Sequence, residues 1–293
     1  MTADRLATRT AAPPAAGPAR AAAPQAAGPA PRDPLGLAES IRQLPPAWLR
    51  LEHGLPTGQG WHRCDELLSP GSPGLALWHE QILRWLREEH GEAPERTAAG
   101  YLRWWYLSAI AIYAAMLFHH RRRVPSLRPS DLHVRISPQG RPDVSGVAVT
   151  ADEFVCLPND PAAGTRAATT VASAQALAAL LRARFAGHAA RFIASYRPAV
   201  RFGPHTWWAT ATDALDTGLW MAGQLGGDEG AGVADAALVL PDALAPFTSA
   251  STLRCQTVDG TPCWVRRRES CCFAYLVNDG EACADCPRVK PKR

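Results

Sequence analysis

Apolar side chains in the first half of the chain recur at the spacing of helices. Over residues 75–86 they repeat every three or four positions with charged residues between them, which predicts an amphipathic helix. The next stretch, residues 101–118, is apolar nearly all round and is broken only by Arg103 and Ser108. Because it has the minimum length of a bilayer span and contains an arginine, a buried core helix is favoured over a membrane span.

A basic run, His-His-Arg-Arg-Arg at residues 119–123, follows the apolar stretch. Positive charge at the C-terminal end of a helix is favoured by the helix dipole, and peripheral contact with a membrane is the second interpretation. His119 and His120 are interpreted as surface or capping residues rather than metal ligands, because no acidic partner is close in sequence.

The period changes to two beyond residue 125. Leu132, Val134 and Ile136 alternate with polar residues, a turn follows at residues 138–140, and residues 154–157 form a second apolar run. Two or three strands are therefore predicted between residues 131 and 158.

Helical spacing returns at residues 177–196 and again at residues 208–219, where the helix is predicted to end near Gly226. The segment 226–236 is rich in Gly, Ala and Asp and is predicted to be a loop, as is the Pro-bounded segment 241–246.

Residues 253–267 have the pattern of a hairpin around Asp259-Gly260, a dipeptide suited to a two-residue turn. In that register Cys255 lies opposite Trp264, and Cys263 lies opposite Gln256. The two cysteines then occupy opposite faces of the ribbon and are poor partners for one metal or one disulfide.

These elements predict an α+β fold that is mostly helical, with a small antiparallel strand group and a C-terminal cysteine-rich metal-binding segment. Residues 1–34 are dominated by Ala, Pro, Gly and Arg, and are predicted to be a disordered extension. Residues 35–250 are predicted to form the body of the protein, and residues 251–293 the hairpin and the metal-binding segment.

Composition narrows the class of protein. The chain has 293 residues and is 47% hydrophobic, enough for a sizeable core. Its net charge of +4 is too small to indicate nucleic-acid binding. No apolar stretch follows a basic N-terminal segment, so we expect no secretory signal and a cytoplasmic location, where thiols stay reduced.

Four of the eight cysteines lie within sixteen residues near the C-terminus: Cys271, Cys272, Cys283 and Cys286. They supply the complete ligand set of a Cys₄ zinc or iron–sulfur site. Adjacent cysteines point to opposite faces of an extended chain, so this pair requires a bent backbone or ligates two different metal atoms. A two-iron cluster relaxes that constraint because its ligands divide into two pairs. Residues 278–280 supply a chain reversal between the two pairs.

Two other interpretations of the cysteines remain open at this stage. One is a structural zinc protein with a basic tail that binds nucleic acid or a partner protein. The other is a thiol redox protein that uses Cys283 and Cys286. Cys64 and Cys156 have the character of small buried hydrophobic residues, and the roles of Cys255 and Cys263 are undetermined.

The basic approach Arg266-Arg267-Arg268, the vicinal cysteines, the ten-residue gap and the Cys-Ala-Asp-Cys-Pro ending resemble the C-terminal signature of FhuF-like siderophore ferric-iron reductases. The resemblance implies a [2Fe–2S] cluster held by the four cysteines. It also implies an oxidoreductase of the cytoplasm, possessing no catalytic side chain of its own, that transfers one electron to siderophore-bound Fe(III) and so releases Fe(II).

The partners implied are a ferric siderophore and an electron donor of the ferredoxin or flavoprotein type. Arg266, Arg267 and Arg268 are candidate substrate-binding residues, because many ferric siderophores are anionic. Trp264 and Phe273 are candidates for shielding the cluster or packing on the siderophore ligand, although aromatic residues beside a metal site more often belong to the core. The sequence contains no nucleotide-binding fingerprint, so direct binding of NAD(P)H or flavin is not expected, and neither is nucleic acid.

Overall fold

The apolar stretch at residues 101–118 lies within one long buried helix. The computed structural model describes residues 35–258, 260–277 and 279–289. Each residue from Tyr106 to Phe118 is buried, which explains why this helix has no polar face. In the described part of the chain, no helix combines the length and the apolar character needed to cross a membrane.

The helices of the described residues are α1 (Leu37–Arg42), α2 (Cys64–Leu67), α3 (Gly74–His90), α4 (Glu95–Arg121), α5 (Ala174–Ser195), α6 (Pro204–Leu225) and α7 (Glu229–Val239). The strands are β1 (Arg50–His53), β2 (Trp61–Arg63), β3 (Val124–Pro125), β4 (Leu132–Ile136), β5 (Val144–Val149), β6 (Phe154–Cys156), β7 (Ala168–Thr170), β8 (Arg254–Val258) and β9 (Thr261–Val265). Short 3₁₀ turns occupy Pro129–Asp131 and Ala274–Leu276.

The strands form three small sheets. One has the order β1-β5-β4-β2, the second has the order β3-β6-β7, and β8 pairs with β9 alone. Two or three strands were predicted between residues 131 and 158, and three are present: β4, β5 and β6. Most pairs are antiparallel, while β1–β5 and β6–β7 are parallel pairs that no local pattern predicted. The mostly helical α+β class is confirmed.

The core is built around α4, which contacts α3, α6 and β5. Helices α4 and α6 approach closely at Gly218, where a Cβ atom would lie 3.1 Å from the backbone of Ala111. The predicted helices at residues 177–196 and 208–219 correspond to α5 and α6, and α6 ends at Leu225 with Gly226 as its C-cap, close to the predicted end.

The prediction of a loop over residues 226–236 is wrong, because α7 begins at Glu229. Asp228 caps this helix by accepting a 2.9 Å hydrogen bond from the N–H of Ala231. Gly232 permits close helix packing instead of a turn, since a Cβ atom there would lie 2.8 Å from Gly223 of α6. The predicted loop at residues 241–246 contains no helix or strand.

The hairpin β8–β9 has the predicted register. Cys255 is opposite Trp264 and Gln256 is opposite Cys263, so the two cysteines lie on opposite faces. The described residues belong to one compact unit, in which the predicted boundary at residue 250 falls between α7 and β8 and stays a prediction. The predicted disordered extension, residues 1–34, lies outside the described residues, as do Asp259, Asn278 and the basic tail from Lys290 onwards.

Candidate metal centre

The vicinal cysteines lie against one face of α4. Thr97, Gly100 and Arg103 are spaced three residues apart and therefore share that face. The Thr97 hydroxyl donates a 2.9 Å hydrogen bond to the carbonyl of Phe273, and Arg103 Nη2 donates one of 2.5 Å to the carbonyl of Cys271. Between them, Gly100 leaves room for the carbonyl of Cys272.

Asp213, a buried carboxylate of helix α6, holds the residues that directly precede the cysteines. Asp213 accepts hydrogen bonds from the backbone N–H groups of Glu269 and Ser270, both at 2.8 Å, and from the Ser270 hydroxyl at 2.6 Å. Burial raises the pKa of Asp213, while these donors and the nearby arginines act to lower it. Because Asp213 is hydrogen-bonded to the two residues that precede Cys271, it fixes where the cysteine segment begins.

The four thiols are arranged as two pairs, each with one member of the vicinal pair. Cys271 Sγ is 4.0 Å from Cys286 Sγ, and Cys272 Sγ is 3.6 Å from Cys283 Sγ. The backbone bends directly after the vicinal pair, where Phe273 has a φ of +61° and its N–H donates to Cys271 Sγ at 3.3 Å. The bent backbone expected from adjacent cysteines is therefore present.

The thiol separations test which metal group the donors suit. Metal–sulfur bonds of 2.3 Å in a tetrahedral site place two sulfurs about 3.8 Å apart, which is the spacing of each pair. Among the described residues, no three His, Cys, Asp or Glu side chains are grouped to hold a single metal ion. Each pair therefore has the spacing of two sulfurs on one metal atom, and a two-iron cluster takes its ligands in two such pairs.

Burial raises the pKa of two of the four thiols, those of Cys271 and Cys283. Burial raises the pKa of Cys283 to about 11, and the neighbouring Cys272 adds to the rise. Burial likewise raises the pKa of Cys271, against the opposing effect of the Phe273 N–H. A metal that binds these sulfurs displaces their protons, so loading is coupled to proton release.

Three arginines lie buried around the thiols. Arg103 is 1% exposed, and the side chains of Arg266 and Arg268 are 7% and 8% exposed. Arg266 pairs with Asp285 at 2.6 Å, and Arg268 lies 3.9 Å from Asp213. Asp285 and Asp213 thus serve Arg266 and Arg268, and neither forms an ion pair with Arg103.

Several guanidinium donors in this group lack a hydrogen-bond partner. The unpartnered buried nitrogens are Arg103 Nε and Nη1, Arg266 Nε and Arg268 Nε. Burial acts to lower the pKa of Arg268, but Cys272, Asp213 and other nearby acidic groups outweigh it and the pKa is raised. Buried cations with unused donors require an anionic neighbour, and a [2Fe–2S] core with four thiolates carries a charge of about −2. The donor set and its surroundings fit that group.

Aromatic side chains complete the surroundings of the thiols. The guanidinium of Arg268 stacks on Trp104 at 4.4 Å, and Phe273 stacks on Phe202 with ring centroids 5.7 Å apart. Burial raises the pKa of Tyr101 to about 12, and the thiols of Cys272 and Cys283 contribute to that rise. Phe273 thus belongs to an aromatic group beside the thiols, and its shielding role stays a prediction, whereas Trp104, Tyr101 and Phe202 were not identified from the sequence.

The three arginines predicted to bind substrate differ in position. Arg266 and Arg268 are engaged inside the protein, with Asp285 and with Trp104 respectively, while Arg267 is exposed. Trp264 is half-buried on β9. Substrate binding by the arginines stays a prediction, and Arg267 is the member whose side chain faces solvent.

The remaining histidine and cysteine candidates lie elsewhere. His119 Nδ1 is 2.7 Å from Asp235 of α7, a partner too distant in sequence to have been anticipated. Cys64 and Cys156 are fully buried, as predicted, and burial raises the pKa of Cys64 to about 12. Cys255 is exposed on the hairpin.

The fold and site define an α+β protein whose cysteine segment is hydrogen-bonded to two long helices, α4 and α6. Residues 268–288 match the family profile of the FhuF 2Fe-2S C-terminal domain. The resemblance identified from the cysteine spacing is thus confirmed over this segment, which contains all four clustered cysteines. No curated protein shows significant sequence similarity to the chain.

Proposed function

We propose that this protein is a [2Fe–2S] ferric-siderophore reductase of the cytoplasm. The observation that carries the proposal is the pairing of Cys271 with Cys286 and of Cys272 with Cys283, inside the segment that matches a 2Fe-2S domain. Each pair would hold one iron atom of the cluster.

The bound cluster would supply one-electron transfer at a potential that the surrounding protein sets. The chain's own contribution is to fix the ligands and balance their charge. Asp213 anchors residues 269–270, Arg103 holds the carbonyl of Cys271, and Phe273 with Phe202 limits access of water. No side chain has to act as acid, base or nucleophile.

The substrate in this proposal is Fe(III) chelated by a siderophore. One electron converts it to Fe(II), which hard oxygen ligands hold less tightly, so reduction releases the metal. The exposed Arg267 would attract an anionic chelate, and a ferredoxin- or flavoprotein-type partner would supply the electron. The basic run at residues 119–123 is a candidate for peripheral membrane contact.

Metal analysis tests the proposal directly. Protein purified without oxygen is expected to contain two irons and two acid-labile sulfides per chain, with little zinc, and to give an electron paramagnetic resonance signal after reduction. Stoichiometric zinc without sulfide would instead establish the structural zinc alternative and overturn the reductase.

Cysteine variants assign the ligands. Cys272→Ser should lose the visible absorption of the cluster, whereas Cys255→Ser, which changes an exposed cysteine of the hairpin, should keep it. Cys64→Ser is a second control, because that thiol is buried away from the clustered cysteines. Equal loss in the ligand and control variants would refute the assignment.

Substrate turnover separates a reductase from a simple electron carrier. The reduced protein is mixed anaerobically with a ferric trihydroxamate or a ferric tricatecholate, and released Fe(II) is measured with a colorimetric chelator. Reoxidation of the cluster matched by Fe(II) release supports the proposal. If the cluster reduces neither chelate but passes electrons to an artificial acceptor, the protein is an iron–sulfur electron carrier and not a siderophore reductase.

A further inference from the structure

Arg103 occupies an unusual position for a charged residue. It lies in the apolar centre of α4, is 1% exposed, and is separated by 168 residues from the Cys271 carbonyl to which it donates. It also lies outside the segment 268–288 that matches the 2Fe-2S domain. A buried guanidinium costs several kcal/mol of desolvation unless an anionic group compensates it, so a positive charge here requires an explanation.

The described surroundings of Arg103 do not supply a carboxylate partner. Its guanidinium lies 4.5 Å from the ring centroid of Phe202 and 5.6 Å from that of Phe273. Its Nε and Nη1 atoms have no hydrogen-bond partner, and its one described hydrogen bond goes to a backbone carbonyl. The buried Asp213 and the partly exposed Asp285 are already engaged, by the backbone at residues 269–270 and by Arg266 respectively.

Aromatic rings shield the charge of Arg103 from water. Phe202 and Phe273 are stacked on each other and flank the guanidinium, so few water dipoles can screen it. The same backbone hydrogen bond ties the guanidinium to Cys271 itself. A charge placed in this way acts on the cysteine sulfurs more strongly than a solvated charge on the surface.

We propose that Arg103 is a positioning residue for the metal centre that raises the reduction potential of a cluster bound by Cys271, Cys272, Cys283 and Cys286. The inference rests on the proposed function, since it requires an anionic iron–sulfur group at the paired thiols. Reduction adds one negative charge to that group, and a poorly screened cation nearby stabilises the reduced form.

The test compares two substitutions of Arg103 with a matched control on the same helix. Arg103→Met keeps the length of the side chain and removes its charge, while Arg103→Lys keeps the charge. Arg122→Met removes a partly exposed cation at the C-terminal cap of α4, which pairs with Asp235 and stacks on Phe118 at 5.2 Å, roughly 28 Å further along the helix axis. The midpoint potential of the loaded protein is measured by redox titration, followed by absorption and paramagnetic resonance.

Arg103→Met is expected to shift the equilibrium between reduced and oxidised cluster at least tenfold towards the oxidised form, which is about 59 mV for a one-electron couple. Arg103→Lys and Arg122→Met should stay near the wild-type potential. An unchanged potential in loaded Arg103→Met, or an equal shift in Arg122→Met, overturns the inference.

If a variant does not assemble a cluster, its potential cannot be measured, and the comparison of cluster loading between the variants becomes the test. Loading of Arg103→Lys without loading of Arg103→Met supports a requirement for charge, whereas failure of both shows a packing role and overturns the inference. Absence of iron and sulfide from the wild-type protein would refute the proposed function itself. A loaded wild-type protein with unshifted variants would refute this inference alone.

Discussion

Gly100 of α4 approaches the carbonyl of Cys272 so closely that a Cβ atom on Gly100 would lie 2.5 Å from the carbonyl oxygen. The same atom would lie 3.2 Å from the ring of Phe273. Helix α4 is continuously buried from Tyr106 to Phe118, and the carbonyls of Cys271 and Phe273 on either side of Cys272 are hydrogen-bonded to the helix. Because neither the helix nor the Cys272 backbone can move away easily, the cysteine segment packs on α4 only when residue 100 has no side chain.

Gly100→Ala should therefore displace the vicinal cysteines. Overpacking at such a contact costs about 1–3 kcal/mol, which exceeds the gain of at most about 1 kcal/mol from replacing glycine in a helix. We expect a lower unfolding temperature of the loaded protein and faster loss of iron to a chelator. Both are measured by thermal melting and by the decay of visible absorption.

Gly187 provides the matched control for that substitution. It also lies within a helix, α5, but a Cβ atom there would meet nothing within 4 Å. Gly187→Ala should leave iron retention unchanged and raise stability slightly. Equal iron loss in the two variants would show that the contact at Gly100 is unimportant.

Asp213→Asn should loosen the start of the cysteine segment. The backbone N–H groups of Glu269 and Ser270 need an acceptor, but an amide at residue 213 points N–H donors at them. The substitution also removes the negative charge beside Arg268. Breaking a buried charged network of this kind costs about 3 kcal/mol. Denaturant unfolding measures the loss, and iron content shows its effect on the centre.

Asp216→Asn distinguishes a local effect from general destabilisation. Asp216 lies one turn further along α6, is equally buried, and accepts from Ser251 and Thr252 instead of the residues before Cys271. Both variants should be less stable, but only Asp213→Asn should lose iron at a temperature where each remains folded. Retention of iron by Asp213→Asn would contradict the anchoring role.

The sequence was most informative where the determinants are local. The hairpin register followed from the Asp259-Gly260 dipeptide in the sequence, because a predicted two-residue turn fixes the pairing of both strands. The four cysteines were identified from spacing alone, since ligands within sixteen residues need only a short chain reversal to meet. The buried character of α4 followed from the lack of any polar face.

Features that depend on distant contacts were not predictable in this way. Arg103 was noted only as an interruption of an apolar stretch, because its partner Cys271 lies far along the chain. Asp213 and Trp104 had no local signal for the same reason. Helix α7 was missed because Gly232, which normally indicates a loop, serves here for close packing against Gly223.

The pairing of the thiols predicts the products of oxidising the metal-free protein. The sulfur atoms that lie 3.6 and 4.0 Å apart need the smallest movement to reach the 2.05 Å of a disulfide. Mild oxidation should therefore link Cys271 with Cys286 and Cys272 with Cys283. Peptide mass mapping identifies the bonds, and dominant Cys271–Cys272 or Cys283–Cys286 disulfides would contradict the arrangement. Cys255 and Cys263 serve as the internal control and should not pair with each other.

His188 of α5 predicts how stability depends on pH. It is 1% exposed, its Nδ1 lies 2.7 Å from the Leu127 carbonyl and its Nε2 lies 2.8 Å from the Tyr106 hydroxyl. Because a carbonyl only accepts, Nδ1 donates to Leu127, which leaves Nε2 of the neutral ring to accept from Tyr106. Burial lowers the pKa of His188 from 6.5 to about 4.

The folded pKa of His188 lies below the unfolded value, so the unfolded chain takes up the proton first as the pH falls. The stability that His188 contributes is complete above about pH 6.5 and is lost progressively towards pH 4, by about 3 kcal/mol in total. His188→Gln should lower stability at neutral pH and flatten this part of the pH profile. Denaturant unfolding at half-unit pH steps measures both slopes. The same acid slope in His188→Gln as in the wild type would show that His188 is not the titrating group.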